Sequence, residues 1–193
     1  MFTIYADDRV LWTPKDPNKL LLSPTLSLEV NKVGSFTFKI LPNHEFYDSL
    51  ALMTTIISVV QDNRITFKGR VYSDDRDFRN IKKIKVEGLL GYFNDSIVRP
   101  YDFSGSPEEF LSMLIAQHNS QVEEWQRFKR GRVTVSTDDY IVRSSSDLPT
   151  TWKEITDKLI AILGGYIVIR YEADGNYIDY LADYEDVSTQ DIV

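Results

Sequence analysis

Apolar residues in the first half of the chain fall at every second position, in short runs broken by turn formers. The clearest run is Gly34 to His44, where Phe36, Phe38 and Ile40 alternate with Thr37 and Lys39. A period of two puts alternate side chains on opposite faces, so the run predicts a strand with one buried and one wet side. It stops at Leu41-Pro42-Asn43-His44, because proline has no N–H for a ladder and asparagine favours a turn. Phe2 and Ile4, then Val10 to Trp12, predict two short strands around an Ala6 to Arg9 turn. Leu26, Leu28 and Val30 predict a further strand. Thr54 to Val60 and Ile65 to Val71 predict a hairpin turning at Asp62-Asn63. Ile84 and Val86 open another strand, with Lys83, Lys85 and Glu87 on its polar side. Many short strands with one polar face point to an antiparallel barrel or sandwich, and we favour a small antiparallel β-barrel.

After Ser104-Gly105 the spacing changes. Ser106-Pro107-Glu108-Glu109 is a helix start, with Ser106 as cap, Pro107 in the first turn and Glu109 closing a capping box. Phe110, Leu111, Leu114 and Ile115 follow at helical spacing. A second helix is expected from Thr151 and Glu154 as a capping box, with Trp152, Ile155, Leu159 and Leu163 on its apolar face. Gly164-Gly165 ends it. Tyr166 to Tyr171 and Tyr177 to Leu181 read as strands joined at Asp174-Gly175-Asn176. The expected fold class is therefore α+β and mainly β: a barrel over residues 1–104, an α+β insert with two amphipathic helices and hairpins over 105–185, and the start of a following domain at 186–193.

Composition narrows the function classes. With 193 residues, 42% hydrophobic, the chain can bury a real core, roughly 70% of its unfolded surface. A formal charge of −7 argues against a general binder of nucleic acid or anionic membrane, since phosphate binding rests on lysine and arginine. The absence of cysteine removes disulfides and thiolate zinc sites and fits a reducing compartment. Acidic residues follow Met1 where a signal peptide would be basic and then apolar, so synthesis in the cytosol is expected.

Candidate chemistry is sparse. His44 sits in the Pro42-Asn43-His44 turn, where exposure or a local hydrogen bond accounts for it. His118 follows the apolar stripe of the first helix, where a cation would suit the helix C-terminus. Asp74, Asp75 and Asp77, Asp138-Asp139, and Asp183 with Glu185-Asp186 read as solvated loops; a glycosidase would need two of these carboxylates facing each other across a sugar. Ser144-Ser145-Ser146 lacks a nucleophile-elbow context and reads as a polar loop before Pro149. Gly88 and Gly91 lack the lysine and the strand-to-helix setting of a phosphate loop. No cofactor or metal is expected. Arg127, Lys129, Arg130 and Arg132, interleaved with Phe128 and preceded by Trp125, form a basic patch read as a surface loop leading into a Val133 to Val135 strand. Stacking plus charge is how single strands of nucleic acid are gripped, but a protein contact fits an acidic chain better. Trp125 and Phe128 are the residues chosen for an exposed partner interface.

Four stretches together resemble a known family: LSPTLSLEVNKVGSFTFKILPNHEFYDSL, FKGRV, EGLLGYFNDSIVRPYDFSGS and TTWKEITDKLIAILGGYIVIRY. In this order, over about Thr25 to Tyr184, they look like the N-terminal region of phage and prophage tail-tip proteins, the tail-associated proteins of siphophages of Gram-positive bacteria. That region resembles the baseplate hub of contractile phages. The resemblance implies a non-enzymatic structural part that trimerises, docks on the distal tail protein ring, closes the tail tube and positions a C-terminal cell-wall-degrading or receptor-binding effector. It also implies a place at the virion tail tip after assembly in the host cytoplasm, with a tail-tube or tape-measure protein as a further neighbour and neither membrane nor nucleic acid as partner. Such proteins continue into a second barrel, so this chain is expected to be a segment of a longer protein or an interrupted prophage gene. The alternatives are a carbohydrate-binding module using surface aromatics such as Tyr5, Trp12 and Tyr92, and a cell-wall glycoside hydrolase.

Overall fold

A computed structural model of the chain describes residues 2–16 and 19–183. The expected opening of a further domain at 186–193, and the acidic pair Glu185-Asp186, lie outside the described residues. Contacts divide the chain into two compact units, Met1–Leu89 and Leu90–Val193. Composition changes later, at Ser104-Gly105.

The first unit is built from β1 (Phe2–Ala6), β2 (Arg9–Trp12), β3 (Leu22–Ser27), β4 (Ser35–Ile40), β5 (Ile56–Gln61), β6 (Arg64–Arg76) and β7 (Lys82–Gly88). They form one sheet in the order β2-β1-β5-β6-β7-β4-β3. Every pairing in it is antiparallel. The mainly β expectation holds, and the expected barrel takes the form of a curled half-barrel sheet. Its core follows from the period of two. Phe36 and Phe38 on β4 are buried and lie opposite Val86 and Ile84 on β7, while Thr37 and Lys39 take the other side. Ile57, Val59, Phe67 and Val71 extend the same buried layer. Each such side chain contributes about 1.5–3 kcal/mol by leaving water.

The turn between β5 and β6 is the expected one. Gln61 pairs with Arg64, leaving Asp62 and Asn63 at φ of 49° and 65°. A two-residue turn matching strand twist needs both central residues left-handed, which aspartate and asparagine tolerate. Leu28 and Val30 differ from expectation. The ladder ends where Ser27 meets Ser35, the first residue of β4, so both lie beyond the strand and are 53% and 48% exposed. Asn31, at φ 56°, then turns the chain.

The second unit contains β8 (Tyr101–Gly105), α1 (Pro107–Asn119), β9 (Phe128–Val133), β10 (Ile141–Ser145), α2 (Thr151–Ile155), α3 (Ala161–Leu163), β11 (Tyr166–Glu172) and β12 (Gly175–Leu181). β8 and β10 pair as a two-stranded ribbon, and β11-β12-β9 form a second small sheet. In the latter, β9 runs parallel to β12. α1 starts as expected: Ser106 Oγ accepts from Glu109 N, and the Glu109 carboxylate accepts from Ser106 N. Phe110, Leu111, Leu114 and Ile115 are buried.

The second helix departs from expectation at its start and middle. Thr150, not Thr151, is the cap, its Oγ1 accepting from Lys153 N. Thr151 is buried and committed to another bond, and Glu154 caps nothing. A π-helical turn over Thr156–Ile160 joins α2 to α3. Gly164 and Gly165, at φ of 71° and 79°, end the helix as expected. The β11–β12 turn is one residue earlier than expected, at Ala173-Asp174, because Glu172 pairs with Gly175. The Ser144-Ser145 run is strand β10 rather than loop, since a register from Ile141 opposite Gly105 to Ser145 opposite Tyr101 carries it.

Candidate functional site

Three kinds of place could carry function: buried polar clusters, the cleft and strand edges of the second unit, and exposed apolar residues.

The buried clusters come first. Ser96, His118 and Thr151 are 2%, 0% and 0% exposed. His118 Nε2 lies 3.1 Å from the Gln126 carbonyl oxygen, which only accepts, so Nε2 carries the proton. Nδ1 is then the acceptor, Ser96 Oγ–H donates to it at 2.7 Å, and Thr151 Oγ1–H donates to Ser96 Oγ at 2.8 Å. Burial, against smaller opposing effects of the Gln126 bond and Asp95, pushes the His118 pKa down. The ring is therefore neutral and structural, which corrects the reading of a cation at the helix end. A serine bonded to a histidine nitrogen has the outline of a nucleophile and its base. Sealed from solvent, this pair can meet no substrate. His44 is likewise 6% exposed rather than on a wet turn; its Nδ1 accepts from Phe46 N at 3.2 Å, and burial lowers its pKa.

Two buried carboxylates lie among the described residues of the second unit, Glu154 and Asp179. Neither has the other as a partner. Tyr101 Oη–H donates to Glu154 Oε1, and burial followed by that bond pushes the Tyr101 pKa up. Asp179 accepts from Arg170 Nε at 3.0 Å and from Arg132 N at 2.7 Å. Gly131 makes this approach feasible: a Cβ there would stand 1.7 Å from Asp179 Oδ1. Each acid is matched to donors of its own, not to a second acid across a sugar-sized gap. Asp74 and Asp75 lie on β6, within 3.8 Å of Lys82 and 3.7 Å of Lys85 respectively. Asp77 forms the turn, its Oδ1 accepting from Arg79 N and Ile81 N.

The basic run is not a surface loop. It is strand β9 itself, and its pairing with β12, far away in the sequence, sets it there. Lys129 Nζ lies 2.6 Å from Asp174, and Arg130 Nη1 2.5 Å from Glu108, so much of the positive charge is answered locally. Phe128 is 1% exposed, with its ring 4.6 Å from Phe93 and 5.5 Å from His118. Of the chosen pair only Trp125 presents surface, standing edge-on to Tyr92 at 5.5 Å. Tyr92 is itself 1% exposed, which removes one of the three aromatics that favoured a sugar platform; Tyr5 and Trp12 are half-buried.

A cleft of about 450 Å³ in the second unit is lined by Pro107, Glu108, Val133, Val135, Asp138 and Tyr140, among others. Apolar side chains exposed to water include Phe78 at 89%, Tyr140 at 76% and Val142 at 71%. Sequence reading missed Phe78, although an aromatic between Asp77 and Arg79 at a turn was a visible signal. No group of three or more histidine, aspartate or glutamate side chains suited to a metal occurs among the described residues, and no described helix is long and apolar enough to cross a membrane.

No protein-family model matches the chain, and no curated protein matches it. Solved structures do. Prophage tail protein gp18 from Listeria monocytogenes EGD-e matches 93% of this chain and 49% of its own at 13% identity, with a TM-score of 0.59. The tail protein from Neisseria meningitidis MC58 matches 95% and 51% at 15% identity, with a TM-score of 0.56. The 43 kDa tail protein of prophage MuSo2 from Shewanella oneidensis matches 93% and 52% at 10% identity, again at 0.56. The chain thus spans about half the length of the tail proteins it resembles. The likeness to tail proteins read from the sequence is matched in the fold.

Proposed function

We propose that this chain is the hub portion of a phage or prophage tail tip, a scaffold that makes and breaks no bond. The observation that carries the reading is a fold shared with three tail proteins, two of them from prophages, over more than nine-tenths of the chain. Physical support comes from the polar core: the Ser96–His118 pair is sealed, and Glu154 and Asp179 are each bonded to their own donors. In this reading the hub associates as a trimer and docks on the distal tail protein ring. It closes the tube beside a tail-tube or tape-measure protein and positions an effector that follows it in the full-length protein. Open strand edges and exposed apolar side chains supply surfaces for such contacts. Trp125, in the turn that precedes the basic strand, is the proposed partner residue; Phe128 would act by holding the surface in shape. Its place would be the virion tail tip.

The test is co-expression with a candidate distal tail protein, followed by native mass spectrometry of the purified mixture. A complex of defined stoichiometry is expected. Absence of any complex, together with glycan turnover by the chain alone, would overturn the reading.

A further inference from the structure

The most exposed large apolar side chain in the described chain sits at a braced tip. Phe78, 89% exposed, crowns the turn between β6 and β7. Asp77 Oδ1 accepts from Arg79 N at 2.8 Å and from Ile81 N at 2.9 Å. The backbone closes the turn twice, Asp77 N to Ile81 O at 3.1 Å and Asn80 N to Asp77 O at 3.0 Å. From below, Tyr47 Oη–H donates to Asn80 O at 2.6 Å. The Arg79 guanidinium lies 5.1 Å from the Phe78 ring centroid. An aromatic beside an arginine on a braced turn is the composition of an interface anchor, because the backbone that carries it loses little freedom when it is buried. A solvated turn needs no phenylalanine.

Three cations, Arg76, Arg79 and Lys83, are exposed around the tip, against the exposed Asp75 and Asp77. The complementary feature is the cleft in the second unit. Its lining combines apolar Pro107, Val133, Val135 and Tyr140 with Glu108, which already meets Arg130, and the exposed Asp138 and Asp139 form its acidic rim. At about 450 Å³ it has room for one phenylalanine ring with the arginine head at the acidic rim.

We propose that the Phe78–Arg79 tip of one copy of this chain inserts into the Pro107–Tyr140 cleft of a second copy. Such a contact joins two different surfaces, so repetition builds a closed ring or an open chain of subunits, not a two-fold dimer. The proposal rests on the self-association within the hub reading and assigns it a contact.

A photo-crosslinking residue at position 78, in an equal mixture of isotopically light and heavy chains, tests it by peptide mapping. Expected are mixed light–heavy products joining position 78 to peptides within 106–140. Phe78→Ala should weaken self-association at least tenfold by sedimentation, while circular dichroism and melting temperature stay unchanged. Arg79→Glu should weaken it too, and adding Asp139→Lys to that variant should restore it. Crosslinks elsewhere, or only within one chain, overturn the contact while leaving the hub reading intact. A chain that stays monomeric at millimolar concentration overturns the contact as well, and the hub reading is then judged by binding to the distal tail protein.

Discussion

The two units bury opposite kinds of charge. The first buries cations: Arg70 and Lys82 are each 3% exposed. The second buries the acids Glu154 and Asp179, with a neutral His118 between the Ser96 hydroxyl and the Gln126 carbonyl. A long cation can keep its stem in the apolar layer and send its head to the rim. Lys82 does so from the slot opposite Ile40, reaching the Tyr47 carbonyl oxygen with Asp48 and Asp74 at 3.8 Å. Arg70 reaches its cross-strand neighbour Glu87 at 2.8 Å. A carboxylate on a short stem has no such route, so the protein must bring donors to it. The first unit therefore tolerates its buried charges, whereas the second is organised around them.

The sharpest way to break this contrast is Gly131→Ala. The added methyl group would occupy the place of Asp179 Oδ1 and expel a buried acid from Arg170 and Arg132. Urea unfolding should show a loss of about 3–5 kcal/mol, the range for breaking a buried pair. Next comes His118→Ala, which leaves the Ser96 hydroxyl and the Gln126 carbonyl without their partner. About 3 kcal/mol is expected by the same measurement, from orphaned polar groups and the cavity.

Acid provides a milder probe of the same cluster. His118 and His44 are held below the ordinary value of 6.5 by burial. As pH falls the unfolded chain takes up their protons first, so their contribution is complete above about pH 6.5 and is lost as pH falls through the folded values. Urea midpoints should therefore drop between pH 7.5 and 5.5, and His118→Gln should flatten that slope. An unchanged slope would show that His118 does not titrate differently in the two states.

Lys82→Met sharpens the comparison from the other side. Asp48 is 86% exposed, so water can answer it when the cation goes, and a loss of about 1 kcal/mol or less is expected. A cost as large as that of Gly131→Ala would erase the distinction between the units. Smallest of all, Phe78→Ala should leave stability within about 0.5 kcal/mol by thermal melting, because its side chain packs against little of its own chain.

What could be read in advance was local. The alternation of Phe36, Phe38 and Ile40, the Asp62-Asn63 turn, the Ser106–Glu109 capping box and the Gly164-Gly165 stop all sit within a few residues of the groups they satisfy. The errors were non-local. Phe128 and Tyr92 read as surface aromatics, yet both are buried, with Phe128 packed between Tyr92 and Phe93. Thr150 and Thr151 are adjacent and chemically alike; Thr151 is buried and donates to Ser96, while Thr150 caps the helix. The sites divide in the same way. That Asp77-Phe78-Arg79 forms a turn is a local matter, but the bracing of that turn by Tyr47 is not.

The sequence by itself determined the alternating strands of the first unit, the start of the first helix, the stop of the second and the absence of cysteine chemistry, because hydrophobic period, capping and composition act over short stretches. Only the tertiary structure decided that the basic run would be a strand, that the histidines would be neutral, and that each buried acid would meet its own donor. Those outcomes depend on which distant segments come together, and on the cost of leaving a polar group unpaired once water is excluded.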